Sequence, residues 1–277
     1  MKFSVLIAHY NNAEYFKDLH RSLLSQTWNN WEAVILDDGS HSEEKEAVEK
    51  LIAGDERFRF YENDENYGVG ITKAKLIELA SGQICGFVDP DDAILPTAIE
   101  KSVEIFKNDN KTVLTYSRFV TCDENLKPVA PFRAARQVPN HDMLFFNYPI
   151  QIAHFVNFRK EVYESTEKMN PELKIAEDQD LYLKMYEKGK VKFINEANYL
   201  YRKHEGGISQ NDNKKKSYEF WGKVIYDAMK RRNINIINGK KVPEKFTTEE
   251  EIFTLLDYQN GIKFRILKKL KSLFQNW

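Results

Sequence analysis

The chain predicts an α/β fold: a mostly parallel central sheet with helices on both faces, followed by a C-terminal helical extension. Three observations carry this. The first ninety residues alternate between short apolar runs and stretches of helical spacing. The runs recur at about the length of one strand–helix–strand unit, whose right-handed crossovers give parallel strands. Polar clusters follow three of the runs directly, as they do at the ligand-binding edge of such sheets.

The elements follow in order. Residues 3–8 form an apolar, β-branched run that suits a buried strand. Phe16, Leu19, Leu23 and Leu24 then fall at helical spacing behind a candidate cap at Asn12. Residues 33–36 are a second strand. Ser40-His41-Ser42-Glu43 has the form of a capping box, with Ser40 as the cap, ahead of the stripe Ala47, Val48, Leu51 and Ile52. Residues 58–61 are a third strand. Ile71, Ala74, Ile77 and Ala80 form a further helical stripe, closed by Gly82. Residues 84–88 are a fourth strand. Pro96 opens a helix carrying Ile99, Val103 and Phe106. Residues 112–120 and 151–158 read as strands, 178–188 as a helix ended by Gly189, and 191–194 and 197–203 as strands. Beyond Asn211 the chain reads as helices only. Tyr218, Trp221, Ile225 and Met229 share one face, and Thr248-Glu249-Glu250-Glu251 repeats the capping-box form before Ile252, Leu255 and Leu256. A boundary falls near residue 210.

Composition narrows the class. Lys+Arg (41) and Asp+Glu (42) nearly cancel among 277 residues, which argues against a nucleic-acid partner. No apolar run reaches the length of a membrane span. The start turns polar at His9, too early for a signal peptide, so a cytoplasmic protein is expected. Cys85 and Cys122 are too few for a disulfide scaffold and sit in no metal-type spacing.

The three polar clusters are His9-Tyr10-Asn11-Asn12, Asp37-Asp38-Gly39-Ser40 and Asp89-Pro90-Asp91-Asp92. In a parallel sheet they would all lie at its carboxyl edge. Three carboxylates within four residues repel one another, and hard oxygen donors favour Mg²⁺ or Mn²⁺. The bland alternative is an acidic turn capping the next helix; its place at a sheet edge favours the metal. Tyr10 offers a face on which a base could stack, and Asp38 a carboxylate for base or ribose donors. For both, an ordinary structural role is about as well supported by local sequence. Asn66-Tyr67-Gly68-Val69-Gly70 lacks the lysine and Ser/Thr of a P-loop, and a plain turn explains its glycines. Lys73 could reach a diphosphate or simply be solvated. Glu177-Asp178-Gln179-Asp180 suits a helix N-terminus, or supplies a general base. His204 as a lone histidine is more often structural.

In this order the motifs resemble those of the family 2 glycosyltransferases, over about residues 3–209. The resemblance implies the GT-A fold, a Rossmann-like nucleotide-diphospho-sugar transferase fold, over residues 1–210. Within it, 1–92 would be the nucleotide-binding half and 93–210 the acceptor half, with 211–277 as the helical extension. It implies an inverting transfer from a nucleoside diphosphate sugar, UDP by family frequency, to an acceptor hydroxyl on a glycan or lipid-linked molecule. Polysaccharide, lipopolysaccharide or other cell-surface glycan synthesis would be the setting. By the resemblance, Asp178 is the catalytic base. Tyr10, Asn11, Asp37, Asp38, Asn66, Lys73 and Asp89 serve the nucleotide and donor, and Asp91, Asp89 and His204 a divalent cation, Mn²⁺ or Mg²⁺. Ala8 stands where the family often has proline, and Lys73 where it often has arginine; an ammonium supplies charge but not a bidentate fork.

Residues 262–274 carry Ile262, Ile266, Leu270 and Phe274 with five interleaved basic residues. Such a helix suits peripheral contact with the inner face of a membrane, or packing on the protein. A homo-oligomer is left open. The rival functions are a sugar nucleotidyltransferase and a non-catalytic nucleotide-sugar binder. Pyrophosphate release would mark the first, and binding without turnover the second.

Overall fold

The computed structural model describes residues 1–204, 213–261 and 264. The expected alternation is present: β1 (Phe3–His9), α1 (Ala13–Leu24), β2 (Trp31–Asp37), α2 (Ser42–Ile52), β3 (Phe58–Glu62), α3 (Val69–Leu79) and β4 (Ile84–Phe87). These four strands pair in parallel, in the order β3-β2-β1-β4. The parallel run ends there. β5 (Ala93–Ile94) and α4 (Ala98–Asn108) lead into β6 (Thr112–Cys122), β7 (Pro128–Pro131) and β8 (His154–Arg159). Next come α5 (Lys160–Glu164), α6 (Glu177–Tyr186) and β9 (Lys190–Arg202). β8 joins β4 and β6 antiparallel, and β9 lies parallel to β6. One mixed sheet results, in the order β3-β2-β1-β4-β8-β6-β9-β5.

Alternation along β1 shows why both faces are covered. Val5 and Ile7 join one apolar cluster with Phe16, Leu19 and Leu23 of α1, Val48 of α2 and Val103 and Phe106 of α4. Leu6 points the other way, into a second cluster with Leu76 and Ile77 of α3 and Leu181 and Leu183 of α6. Each such side chain is fully buried or nearly so, a gain of roughly 1.5–3 kcal/mol per residue.

The C-terminal part differs from an all-helical reading. α7 (Asn213–Arg231) is followed by the short strands β10 (Ile236–Ile237) and β11 (Lys240–Lys241), then by α8 (Glu249–Leu256). Asn238-Gly239 between the two strands has positive φ at both residues, the turn that Asn-Gly favours. Ile225 and Met229 of α7 and Ile252, Leu255 and Leu256 of α8 belong to the same cluster as Leu6. The basic stretch 262–274 lies outside the described residues, Phe264 excepted. Among the described residues, no helix is long and apolar enough to cross a membrane.

Thr248 accepts from Glu251 N, as its capping box implies. Ser40 is not a cap: α2 begins at Ser42, and the Ser40 hydroxyl accepts instead from Asn11 N at 2.9 Å. Gly82 lies beyond the end of α3. It is small because a Cβ there would come within 2.6 Å of the Ser4 hydroxyl oxygen.

Candidate active site

The parallel register places the ends of β1, β2 and β4 along one edge, with His9 opposite Asp37 and Leu6 opposite Phe87. The residues that follow these strands therefore emerge together. They border a cavity of about 1010 Å³. Tyr10, Asn11, Asp38, Asn66, Lys73, Asp89, Asp91, Asp178 and His204 all line it. Residues more than a hundred positions apart thus share one hollow.

Asp37 does not. It is fully buried, and its carboxylate bonds His9 Nδ1 at 2.8 Å and accepts from Ser40 N at 2.8 Å. Burial raises its proton affinity, but the bonds from His9 and Ser40 outweigh burial and leave the group below the ordinary value. Asp37, expected among the donor residues, does not line the cavity; it braces the turn that carries Tyr10 and Asp38.

Asp38 lines the cavity from behind the Asn66–Gly68 loop. Its carboxylate accepts from Asn63 Nδ2 at 2.7 Å, Tyr67 N at 3.0 Å and Gly68 N at 2.8 Å. Three of a carboxylate's roughly four acceptor positions are thus in use. Gly39 permits this approach: its φ is +77°, and a Cβ would stand 2.8 Å from Asn66 N. Tyr10 is half exposed at the rim. Asn11 fastens the same turn, its side-chain oxygen accepting from His41 N at 3.0 Å.

Asp178 stands in the first turn of α6, behind Ala176, which adopts a left-handed conformation with φ +63°. A non-glycine residue held there is a local strain of the kind found at functional sites. The Asp178 carboxylate accepts from Gln179 N at 2.8 Å and from Gln179 Nε2 at 3.4 Å, and it lines the cavity. Burial, and then the adjacent Glu177, push its pKa up to about 6, against the opposing charge of Lys73. Lys73 Nζ donates to Glu177 Oε1 at 2.7 Å, with both side chains largely buried. Burial alone would lower the Lys73 pKa, but the carboxylates of Glu177, Asp89 and Asp178 outweigh it and hold the ammonium charged. Gly70 makes room for this junction, since a Cβ there would meet Leu173 O at 2.4 Å.

Asp89 and Asp91 end the β4 side. Asp91 Oδ2 lies 2.7 Å from His204 Nε2. Burial and the charge of Asp89 raise the Asp91 pKa, with His204 opposing. Among the described residues, no three His, Cys, Asp or Glu side chains already form a ligand set. The donor chemistry nonetheless fits a hard divalent cation: two carboxylates with surplus negative charge, and an imidazole beside them. Asp92 turns away, buried, accepting from Tyr199 Oη at 2.6 Å and Arg202 N at 2.7 Å.

Some lining residues were given no role by the sequence reading. Tyr15 packs against His204 with ring centroids 4.7 Å apart, and Arg202 lies over Tyr15 while bonding Asp18. His154, at the start of β8, also lines the cavity. His154 and Arg202 belong to β8 and β9, whose positions depend on long-range pairing that a local pattern does not reveal.

Comparison with known proteins agrees with this geometry. The family described as Glycosyl transferase family 2 matches residues 4–166. A chondroitin synthase of Pasteurella multocida (strain Pm70) is 27% identical over 272 residues, covering 97% of this chain. The chain spans 27%, about a quarter, of that synthase's length. TarS of S. aureus, solved with UDP-GlcNAc, superposes with a TM-score of 0.70 at 21% identity, over 92% of this chain and 70% of that one. A mannosyltransferase from Pyrobaculum calidifontis, solved with GDP-Man and Mn²⁺, gives a TM-score of 0.59 at 12% identity, over 100% of this chain and 81% of that one. These likenesses show the GT-A fold. With a profile match across more than half its length and the motif residues gathered at one sheet edge, the chain belongs to glycosyl transferase family 2.

Proposed function

We propose that the protein transfers a sugar, with inversion, from a UDP-sugar to an acceptor hydroxyl in the synthesis of a cell-surface glycan. The observation that carries this is the convergence of Asp178 with Tyr10, Asp38, Asp89 and Asp91 on one cavity. The UDP-GlcNAc bound by TarS supports the choice of nucleotide.

The Tyr10 ring face stacks on the base, and the remaining acceptor position of Asp38 takes a base N–H. Lys73, held charged beside Glu177, Asp89 and Asp178, faces the diphosphate. A divalent cation held by Asp91, Asp89 and His204, Mn²⁺ or Mg²⁺, would supply charge neutralisation for the leaving diphosphate. The Mn²⁺ in the Pyrobaculum enzyme supports that assignment. Asp178 accepts the proton of the acceptor hydroxyl as its oxygen attacks the anomeric carbon from the face opposite the diphosphate. Glu177 restrains Lys73, so the ammonium does not fully neutralise the base.

Asp178→Asn is expected to lower transfer by about a hundred- to ten-thousand-fold while donor binding stays near that of the wild type. Titration calorimetry with UDP-sugar, beside a UDP-release assay with acceptor, checks this. Equal loss of binding and turnover would make Asp178 structural, and pyrophosphate release would make the protein a nucleotidyltransferase.

A further inference from the structure

His154 has no part in the reading above, yet it is built into the same cavity. Its ring stacks on Tyr199, with centroids 4.9 Å apart and planes at 19°. Tyr201 lies 4.9 Å away on a tilt, and Phe119 meets the ring edge-on at 4.5 Å. Three aromatic rings therefore fix the orientation of the imidazole. The ring is also tied to the diphosphate side. Tyr199 Oη accepts from Asp89 N at 3.2 Å and donates to Asp92.

The nitrogens of this fixed ring are uncommitted. Neither has a hydrogen-bond partner among the described residues, and neither is sealed in the core. Enclosure by the surrounding rings lowers its pKa to about 4, so the imidazole is neutral at ordinary pH. A neutral imidazole carries one N–H donor and one lone pair. A sugar hydroxyl carries the same complement in reverse.

We propose that His154 reads a hydroxyl of the transferred sugar and so sets which UDP-sugar the enzyme accepts. The proposal rests on the sugar-transfer reading. A sugar joined to a diphosphate at Asp89 and Asp91 and attacked beside Asp178 would lie in the cavity that His154 also lines. His154 stacks on Tyr199, whose hydroxyl accepts from Asp89 N, so the imidazole stands on the side of the cavity assigned to the donor. A rigid site that bonds a substrate hydroxyl discriminates strongly against a substrate lacking it in that position.

The test measures dissociation constants of UDP, UDP-glucose, UDP-galactose, UDP-GlcNAc and UDP-GalNAc with Mn²⁺ by titration calorimetry. The wild type should prefer one sugar over its epimer. His154→Phe keeps the aromatic packing, so UDP should bind within about twofold of the wild type while the preference shrinks by about tenfold or more. His154→Asn keeps a donor and an acceptor but loses the ring. It should retain the same preferred sugar despite a lower melting temperature. Unchanged preference in His154→Phe, with UDP binding intact, overturns the assignment, as does a wild type that binds all four sugars alike. A preference that survives with the ring but not with the polar atoms makes His154 a packing residue. Failure of the wild type to bind UDP at all overturns the sugar-transfer reading as well, and is distinguishable by that result.

Discussion

As the proposed base, Asp178 must be unprotonated to accept a proton, yet burial and Glu177 push its pKa up to about 6. Turnover should therefore fall as pH drops through about 6, not through the ordinary aspartate range. Glu177→Gln removes a like charge and frees Lys73 to act on Asp178, so that acid limb should move to lower pH. A limb that stays in place would mean another group controls it; kcat/KM against pH reports the difference. The same shift has a stability sign. A carboxylate whose folded pKa is raised costs stability once pH exceeds its unfolded value, and the full cost is present above its folded value. Asp178→Asn should thus raise Tm at pH 7 relative to the wild type and lose that advantage near pH 4. At the neighbouring site, Asp91→Ala should abolish any difference in UDP-sugar affinity between Mn²⁺ and EDTA. A variant that keeps the wild-type metal response would remove Asp91 from the cation site.

Elements explain why some residues were legible in the sequence and others were not. Tyr10, Asp38, Asp89 and Asp91 follow the parallel strands β1, β2 and β4 directly, so strand periodicity alone places them at one edge. Asp37 and Asp38 are adjacent, and no local pattern says which turns inward. Only the fully buried His9 opposite Asp37 decides it, and His9 itself reads as part of the polar cluster. The second half is harder, because β8 inserts antiparallel between β4 and β6. His154 acquires its aromatic shell from β6 and β9, not from its own neighbours in sequence. α6 shows how tightly placement is enforced. Lys184 and Asp180 pair at 2.7 Å with both side chains nearly sealed, and Lys184 also donates to Lys168 O. Lys184→Met should cost about 3–5 kcal/mol by leaving Asp180 without its main counter-charge, whereas adding Asp180→Asn should recover much of that loss. Urea unfolding of the two variants measures both. Gly70→Ala tests the seat of α3, since the added methyl meets the Leu173 carbonyl. A loss of about 1–3 kcal/mol in unfolding is expected, together with lower turnover.

At the scale of the molecule, the sheet is a divider with unequal coverings. One face is closed by α1, α2 and α4, all drawn from the first 108 residues. The other needs α3 and α6 and then α7 and α8 from beyond residue 212. A chain cut after residue 204 should therefore lose cooperative unfolding, as judged by calorimetry against the full chain; a sharp two-state transition in the fragment would show that the late helices are dispensable. The junction of Gly70 and Lys73 with the 173–177 segment has a practical corollary. It is a seam between sequence blocks that recombination would treat as separate. A designer who grafts the second half of a relative's chain onto this N-terminal half imports a loop that must slot over a residue without a side chain and find a cation waiting for its glutamate. Chimaeras should succeed according to whether that notch and that charge travel with the graft, more than according to the identity shared elsewhere.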